Sequence, residues 1–116
     1  MNLIHLPHHQ HPKPPHHELR QKRVLDSGAR SVGQIANLYV DDDSVVHFMD
    51  VTTSGFFGSG TKHHLVPVEA VADEDPGSIT LEVDQQTVES APTSADPHSG
   101  LDEELQRTTR EHYGYR

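Results

Sequence analysis

The chain has no cysteine, no tryptophan, only three phenylalanines, and 9 Lys+Arg against 18 Asp+Glu in 116 residues. Without cysteine, disulfides, thiolate metal centres and cysteine nucleophiles are excluded. Hydrophobic residues make up 32 %, short of the ordinary share of about 45–50 %. That leaves room for one small domain and disfavours two. No apolar run approaches the roughly 20 residues of a membrane span. The opening Met-Asn-Leu-Ile-His-Leu-Pro joins no basic region to a long apolar stretch, so no secretory leader is expected and the cytoplasm is the expected location. Basic residues are scarcest where a core can form. Residues 1–23 carry a net charge of +3 and residues 24–116 a net of −12, which together give the total of −9. Nucleic-acid affinity comes largely from Lys and Arg displacing counterions, so nucleic acid is not an expected partner.

What is present divides into three parts. Residues 1–17 (MNLIHLPHHQHPKPPHH) are a His/Pro tract holding His8, His9, His11, His16 and His17, with prolines at 7, 12, 14 and 15. Prolines without backbone donors and little to bury predict a disordered arm over residues 1–19, and deleting residues 1–17 should move the melting temperature by no more than about two degrees. Residues 20–92 hold the strand signals. Val24-Leu25-Asp26 and Ser31 to Val40 read as a hairpin around Ser27–Arg30, with Gly28 able to take positive φ. Gly33 inside the second strand marks a bulge or bend, and Ile35, Leu38 and Val40 break strict alternation in keeping with a kink. Asp41–Ser44 is a turn. Val45 to Thr53, Lys62 to Val66 and Ile79 to Val83 are further strands, the first apolar on both faces and therefore central. Gln85 to Ala91 allows about one helical turn. Residues 93–116 are a linker and a short helix from Leu101 to Tyr113, with acidic residues in its first turn and Arg107 and Arg110 later.

Few of these residues form a recognisable chemical constellation. Asp41, Asp42, Asp43 and Asp50 suggest calcium, but an EF-hand loop counted from Asp41 would put Thr52 where a bidentate Glu is needed. His63 and His64 are adjacent in a strand and point to opposite faces, so they do not share a metal, although His47 could approach one of them. The imidazoles of His8, His9, His11, His16 and His17 predict adventitious Ni²⁺ or Zn²⁺ binding only. Gly55-Phe56-Phe57-Gly58-Ser59-Gly60 precedes a strand and not a helix, so no helix N-terminus there receives a phosphate. Phe56 and Phe57 either cap one end of the strand core or form an exposed docking pair. Ser54, Ser59, His63 and Asp50 include the residue types of a hydrolase triad without a nucleophile elbow. Neither catalysis nor a cofactor is expected.

Five pieces occur in order between residues 32 and 71: Val32-Gly33-Gln34-Ile35, Asn37-Leu38-Tyr39-Val40-Asp41, Val46-x-Phe48-Met49-x-Val51, Gly55-Phe56-Phe57-Gly58, and Lys62-x-x-Leu65-Val66-Pro67-Val68-Glu69-Ala70-Val71. Together they resemble the PRC-barrel family, whose domain is shared by the photosynthetic reaction-centre H subunit and the ribosome-maturation factor RimM. The resemblance is strongest to short stand-alone bacterial members, and Val88-Glu89-Ser90-Ala91-Pro92 and Glu111-His112-Tyr113-Gly114-Tyr115 echo their typical ending. It implies a small all-β, closed or nearly closed antiparallel barrel over residues 20–92. It also implies a non-enzymatic scaffold or adaptor that binds another protein or itself, as a homodimer. The residues expected to carry such contacts are Phe56 and Phe57, then Leu101, Leu105, Tyr113 and Tyr115. The alternative is a small-ligand or metal-binding module using the barrel mouth and the His residues.

Overall fold

The computed structural model describes residues 1–54, 61–93, 96 and 99–115. Phe56 and Phe57 lie outside the described residues. Seven strands run β1 (Ile4–His5), β2 (Arg23–Leu25), β3 (Ser31–Val40), β4 (Val46–Ser54), β5 (Thr61–Pro67), β6 (Val71–Glu74) and β7 (Ser78–Leu81). Helices α1 (Gln85–Glu89) and α2 (Glu103–His112) follow. The strands form one sheet in the order β5-β4-β3-β2-β7-β6, with β1 added to β3. The sheet curls into a half-barrel and is mostly but not wholly antiparallel, because β2 and β7 pair in parallel. The expected closed or nearly closed antiparallel barrel is a curled half-barrel with one parallel pair. At the β5 edge the Leu65 amide donates to the Pro92 carbonyl at 3.1 Å, so the chain after α1 covers an edge that further pairing would otherwise satisfy.

The long strand β3 shapes the curl. Its register against β4 shifts between Ile35 and Asn37 and again between Tyr39 and Val40. The extra residue lets Ile35, Leu38 and Val40 all enter the main core despite their irregular spacing, while Asn37 and Tyr39 turn to the outer face. Gly33 is required here by proximity: a Cβ on it would lie 1.8 Å from the Thr52 carbonyl oxygen. Its φ is not positive, and neither is that of Gly28; the left-handed residue of the β2–β3 turn is Ala29, at φ 63°. The Asp26 carboxylate makes that turn possible. Oδ1 accepts from the Gly28 and Arg30 amides, both at 2.9 Å, and Oδ2 accepts from the Gln85 amide at 3.1 Å.

As the sequence predicts, β4 is central and buried on both sides. Val46, Met49 and Val51 belong to the main core and Phe48 to a second cluster with Leu3, Tyr39, Leu65 and Leu101. That second cluster lies on the outer wall of β3–β5, and Leu105 of α2 packs against it. The helix falls within the expected Leu101 to Tyr113 but is shorter, and its cap is Asp102, whose Oδ1 accepts from the Leu105 amide at 2.7 Å, with Glu103 and Glu104 in the first turn. Its i, i+4 ion pair joins Arg107 to Glu111 at 3.1 Å, and Arg107 is also 3.9 Å from Glu104.

The N-terminal segment is not a disordered arm. Leu3 and Leu6 are 1 % exposed and Leu19 is fully buried. β1 pairs with the end of β3, the Leu6 amide donates to the Leu38 carbonyl at 2.9 Å, and the Lys13 amide donates to the Ser44 carbonyl at 2.9 Å. Composition misleads because the tract averages as polar. Leu3, Leu6 and Leu19, buried against the body, outweigh the prolines and histidines between them.

Candidate functional site

The outer wall carries a polar chain built by strand register. Asn37 on β3 stands opposite Asp50 on β4, and β1 sets His5 opposite Tyr39. Asn37 Nδ2 donates to Asp50 Oδ2 at 2.7 Å, His5 Nε2 lies 2.8 Å from Asn37 Oδ1, and His63 Nδ1 lies 3.0 and 2.8 Å from the two Asp50 oxygens. Asn37 and Asp50 are buried and His63 is partly exposed. An ionised carboxylate only accepts, so it selects the Asn37 amide group facing it. The Asn37 oxygen then selects an N–H on His5 Nε2, and His63 carries its proton on Nδ1. Asp50 thereby orients an imidazole whose Nε2 is left for solvent or a ligand. Sequence reading placed His63 and Asp50 in one group by residue type, and the fold brings them into contact. Ser54 and Ser59, the hydroxyls of that group, lie outside the described side chains. His64 points the other way into the sheet interior, as strand alternation requires, and its buried Nδ1 meets no partner among the described residues. His47 turns to Asp41, with Nε2 2.9 Å from Oδ2, and not to either histidine of β5.

The His/Pro tract is gathered by Arg20. Its guanidinium donates to the carbonyls of Leu6 at 2.8 Å, Pro7 at 2.7 Å and His8 at 3.1 Å, and also to that of Gln10. His8, His11 and His17 then line one cavity of about 420 Å³ together with Pro12, Glu18 and Arg20. His16 turns away to Glu74 at 3.4 Å, which also holds the buried Lys22 at 3.1 Å, and His9 is exposed. Among the described residues no three His, Asp or Glu groups stand close enough to hold a metal ion.

The C-terminal residues expected to carry contacts are placed on the body of the same chain. Leu101 and Tyr113 are buried and Leu105 and Tyr115 are partly so. The Tyr113 hydroxyl donates to the Leu65 carbonyl at 2.8 Å, and burial pushes its pKa far above the usual phenol range. Tyr115 donates to Glu82, and its phenol is likewise pushed up, first by burial and then by that carboxylate. An open groove of about 920 Å³ runs between Met1, the outer side of α2 at Glu103, Gln106 and Arg107, and Tyr115.

Among the described residues, four carboxylates are held below their usual pKa range. The causes are, first in each case, the Arg30 amide at Asp26, His47 at Asp41, the Thr87 hydroxyl at Asp84 and the N-terminal amine at Glu103. A depressed folded-state pKa means that the unfolded chain binds protons more readily. The stabilisation is present above about pH 4, the unfolded carboxylate value, and is lost as pH falls toward the lower folded values. The contribution of these contacts to the melting temperature should therefore be constant above about pH 5 and fall steadily from pH 4 to pH 3. A flat profile down to pH 3 would remove these contacts from the account.

A family model of the PRC-barrel domain matches residues 15–88. A search of curated proteins finds no match. The matched stretch contains β2 to β7, so β1 and α2, the elements that cover the outer wall, both lie outside it.

Proposed function

The chain belongs to the PRC-barrel domain family, and on that premise we propose that it works as a non-enzymatic interaction module, a scaffold or self-associating adaptor of the cytoplasm. The observation carrying this reading is that the two chain ends outside the matched domain converge on one wall. Leu3 bridges Leu101, Gln106 Nε2 donates to the Met1 carbonyl at 2.7 Å, and the groove beside α2 opens directly over that junction. A family barrel whose ends are added to one side acquires a surface of its own there, ringed by Glu and Arg side chains suited to a polar interface rim. No helix among the described residues is long and apolar enough to cross a membrane.

The test compares capture by the wild-type chain, by Arg107→Glu and by Phe56→Ser/Phe57→Ser, with circular dichroism melting on each sample. A protein or second copy held by wild type and lost in a variant of unchanged melting supports the reading. A wild-type chain that holds neither a protein nor a second copy would overturn it. A second reading, a small-ligand module, draws on the one cavity that His8, His11 and His17 line together. A rise of several degrees in melting with one compound of a small-ligand screen, lost in His8→Ala/His11→Ala/His17→Ala, would favour it, since a ligand binding only the folded state stabilises it.

A further inference from the structure

We propose that His63 is a docking point for a cation: a Lys or Arg side chain of a protein partner donates to its Nε2 on the outer wall of β3–β5. This deepens the interaction reading above by naming the partner's chemistry, and it rests on that reading. The imidazole is held from behind. Its Nδ1 lies 2.8 Å from Asp50 Oδ2, and the same oxygen accepts from Asn37 Nδ2 at 2.7 Å. Asp50 is 2 % exposed, so a partner meets its charge through the ring and not directly. With the ring proton on Nδ1, a lone pair faces outward at Nε2, and that nitrogen meets no partner among the described residues. Only a donor can bind there. The ring is partly exposed and already fixed on its far side, so little conformational freedom is lost when a donor docks.

The charge around the ring selects a cationic donor. Asp50 has no Lys or Arg partner among the described residues, and its one ion-pair neighbour is His63, which carries no charge in this tautomer. β3, β4 and β5 together hold a single basic side chain of the Lys or Arg type, Lys62, and strand alternation turns it to the face opposite His63. The pairing register runs His63–Thr52–Gln34–Arg23 across the wall. Arg23, the first cation in that row, is three strand spacings away, roughly 14 Å. That exceeds the screening length of about 8 Å at physiological salt, whereas a donor on Nε2 stands one imidazole ring from the carboxylate. Residues 24–116 carry a net −12, which steers the same kind of partner toward the wall. A partner presenting carboxylates or phosphates is repelled by both.

The full-length chain, isotope-labelled on nitrogen, tests this directly. At about pH 8 the imidazole spectrum should show His63 protonated at Nδ1 and unprotonated at Nε2. A short arginine peptide is then titrated in, with a glutamate peptide of the same length as its opposite. The arginine peptide should shift the His63 Nε2 resonance, with an affinity that falls as salt is raised, and the glutamate peptide should leave it unmoved. His63→Arg keeps a donor for Asp50 but replaces the lone pair by N–H groups, and should weaken binding of the arginine peptide several-fold with unchanged melting. Gln86→Arg, exposed on α1, makes the same change in net charge and should bind as the wild type does. The resonance shift is read on the wild type and stands even if His63→Arg melts lower. Equal losses in the two variants would mean diffuse attraction to an acidic body and overturn the proposal. A proton on Nε2 at about pH 8, or a shift with the glutamate peptide, would overturn it as well. Protein capture that survives undiminished in His63→Arg would leave the interaction reading standing and remove only this docking point.

Discussion

Gly33→Val is expected to abolish cooperative folding. Real Cβ atoms do not approach backbone as closely as the 1.8 Å to the Thr52 oxygen and 2.9 Å to the Thr52 carbon that a side chain at this position would require. The obstacle is the β4 backbone, which no rotamer change moves. It lies where Gln34 pairs with Thr52 and Ile35 with Val51. Separating the strands there would break the ladder that sets the curl and empty the main core between Ile35, Met49 and Val51. The loss should be about 4 kcal/mol or more, in the range reserved for strained or overpacked sites. A small domain of total stability of about 5–15 kcal/mol does not absorb it. Because the clash begins at Cβ, Gly33→Ala should be nearly as damaging. Gly77→Ala serves as the control: nothing lies within 4 Å of its Cβ position, and it should be neutral or stabilise by up to about 1 kcal/mol. Urea midpoints decide this, and an unchanged midpoint for Gly33→Ala would contradict the close strand crossing.

Deleting residues 1–17 should cost almost as much. The truncation removes Leu3 and Leu6, both essentially buried, and core leucines are worth about 2–5 kcal/mol each when truncated to alanine. It also uncovers Tyr39, Phe48 and Leu65 and takes His5 from Asn37, leaving the buried Asn37–Asp50 pair open on one side. The shortened chain should melt more than ten degrees lower or aggregate. Leu6→Ala isolates one contact and should cost about 2–5 kcal/mol by chemical denaturation. A melting temperature within about two degrees of the full chain, as composition alone predicts, would show that the segment does not pack.

These two predictions mark where sequence reading succeeds and where it stops. β4 is legible because Val46, Phe48, Met49 and Val51 are apolar on both faces, which only a central strand tolerates. The β3 kink is legible from the broken spacing of Ile35, Leu38 and Val40, and α2 from its acidic first turn with Arg107 and Arg110 later. Gly33 stands out as unusual, yet its reason does not, since φ and backbone proximity leave the same mark in a sequence. The parallel pairing of β2 with β7 joins segments more than fifty positions apart, and no local signal encodes it. β6, Val71-Ala72-Asp73-Glu74, is mostly exposed at the sheet edge and lacks the alternation of a half-buried strand. For the outer wall, Asp50 and His63 are visible as residue types. Their contact with Asn37 and His5 depends on register and on a strand of only two residues, too short to show periodicity. The tract fails for a similar reason: three separated leucines do not form a pattern, but each fills a hole in a body built elsewhere.

Backbone hydrogen exchange at Leu6 and Leu101 tests the central claim most directly. The Leu6 amide donates to the Leu38 carbonyl and the Leu101 amide to the Leu3 carbonyl, so both report whether the chain ends are locked to the outer wall. If they are integral to the fold, these two amides should exchange at rates approaching those of Leu38 and Met49 at the β3–β4 centre, limited by global opening. Rapid exchange at Leu6 and Leu101 while β3 and β4 stay protected would contradict the account and return residues 1–19 to a detached arm.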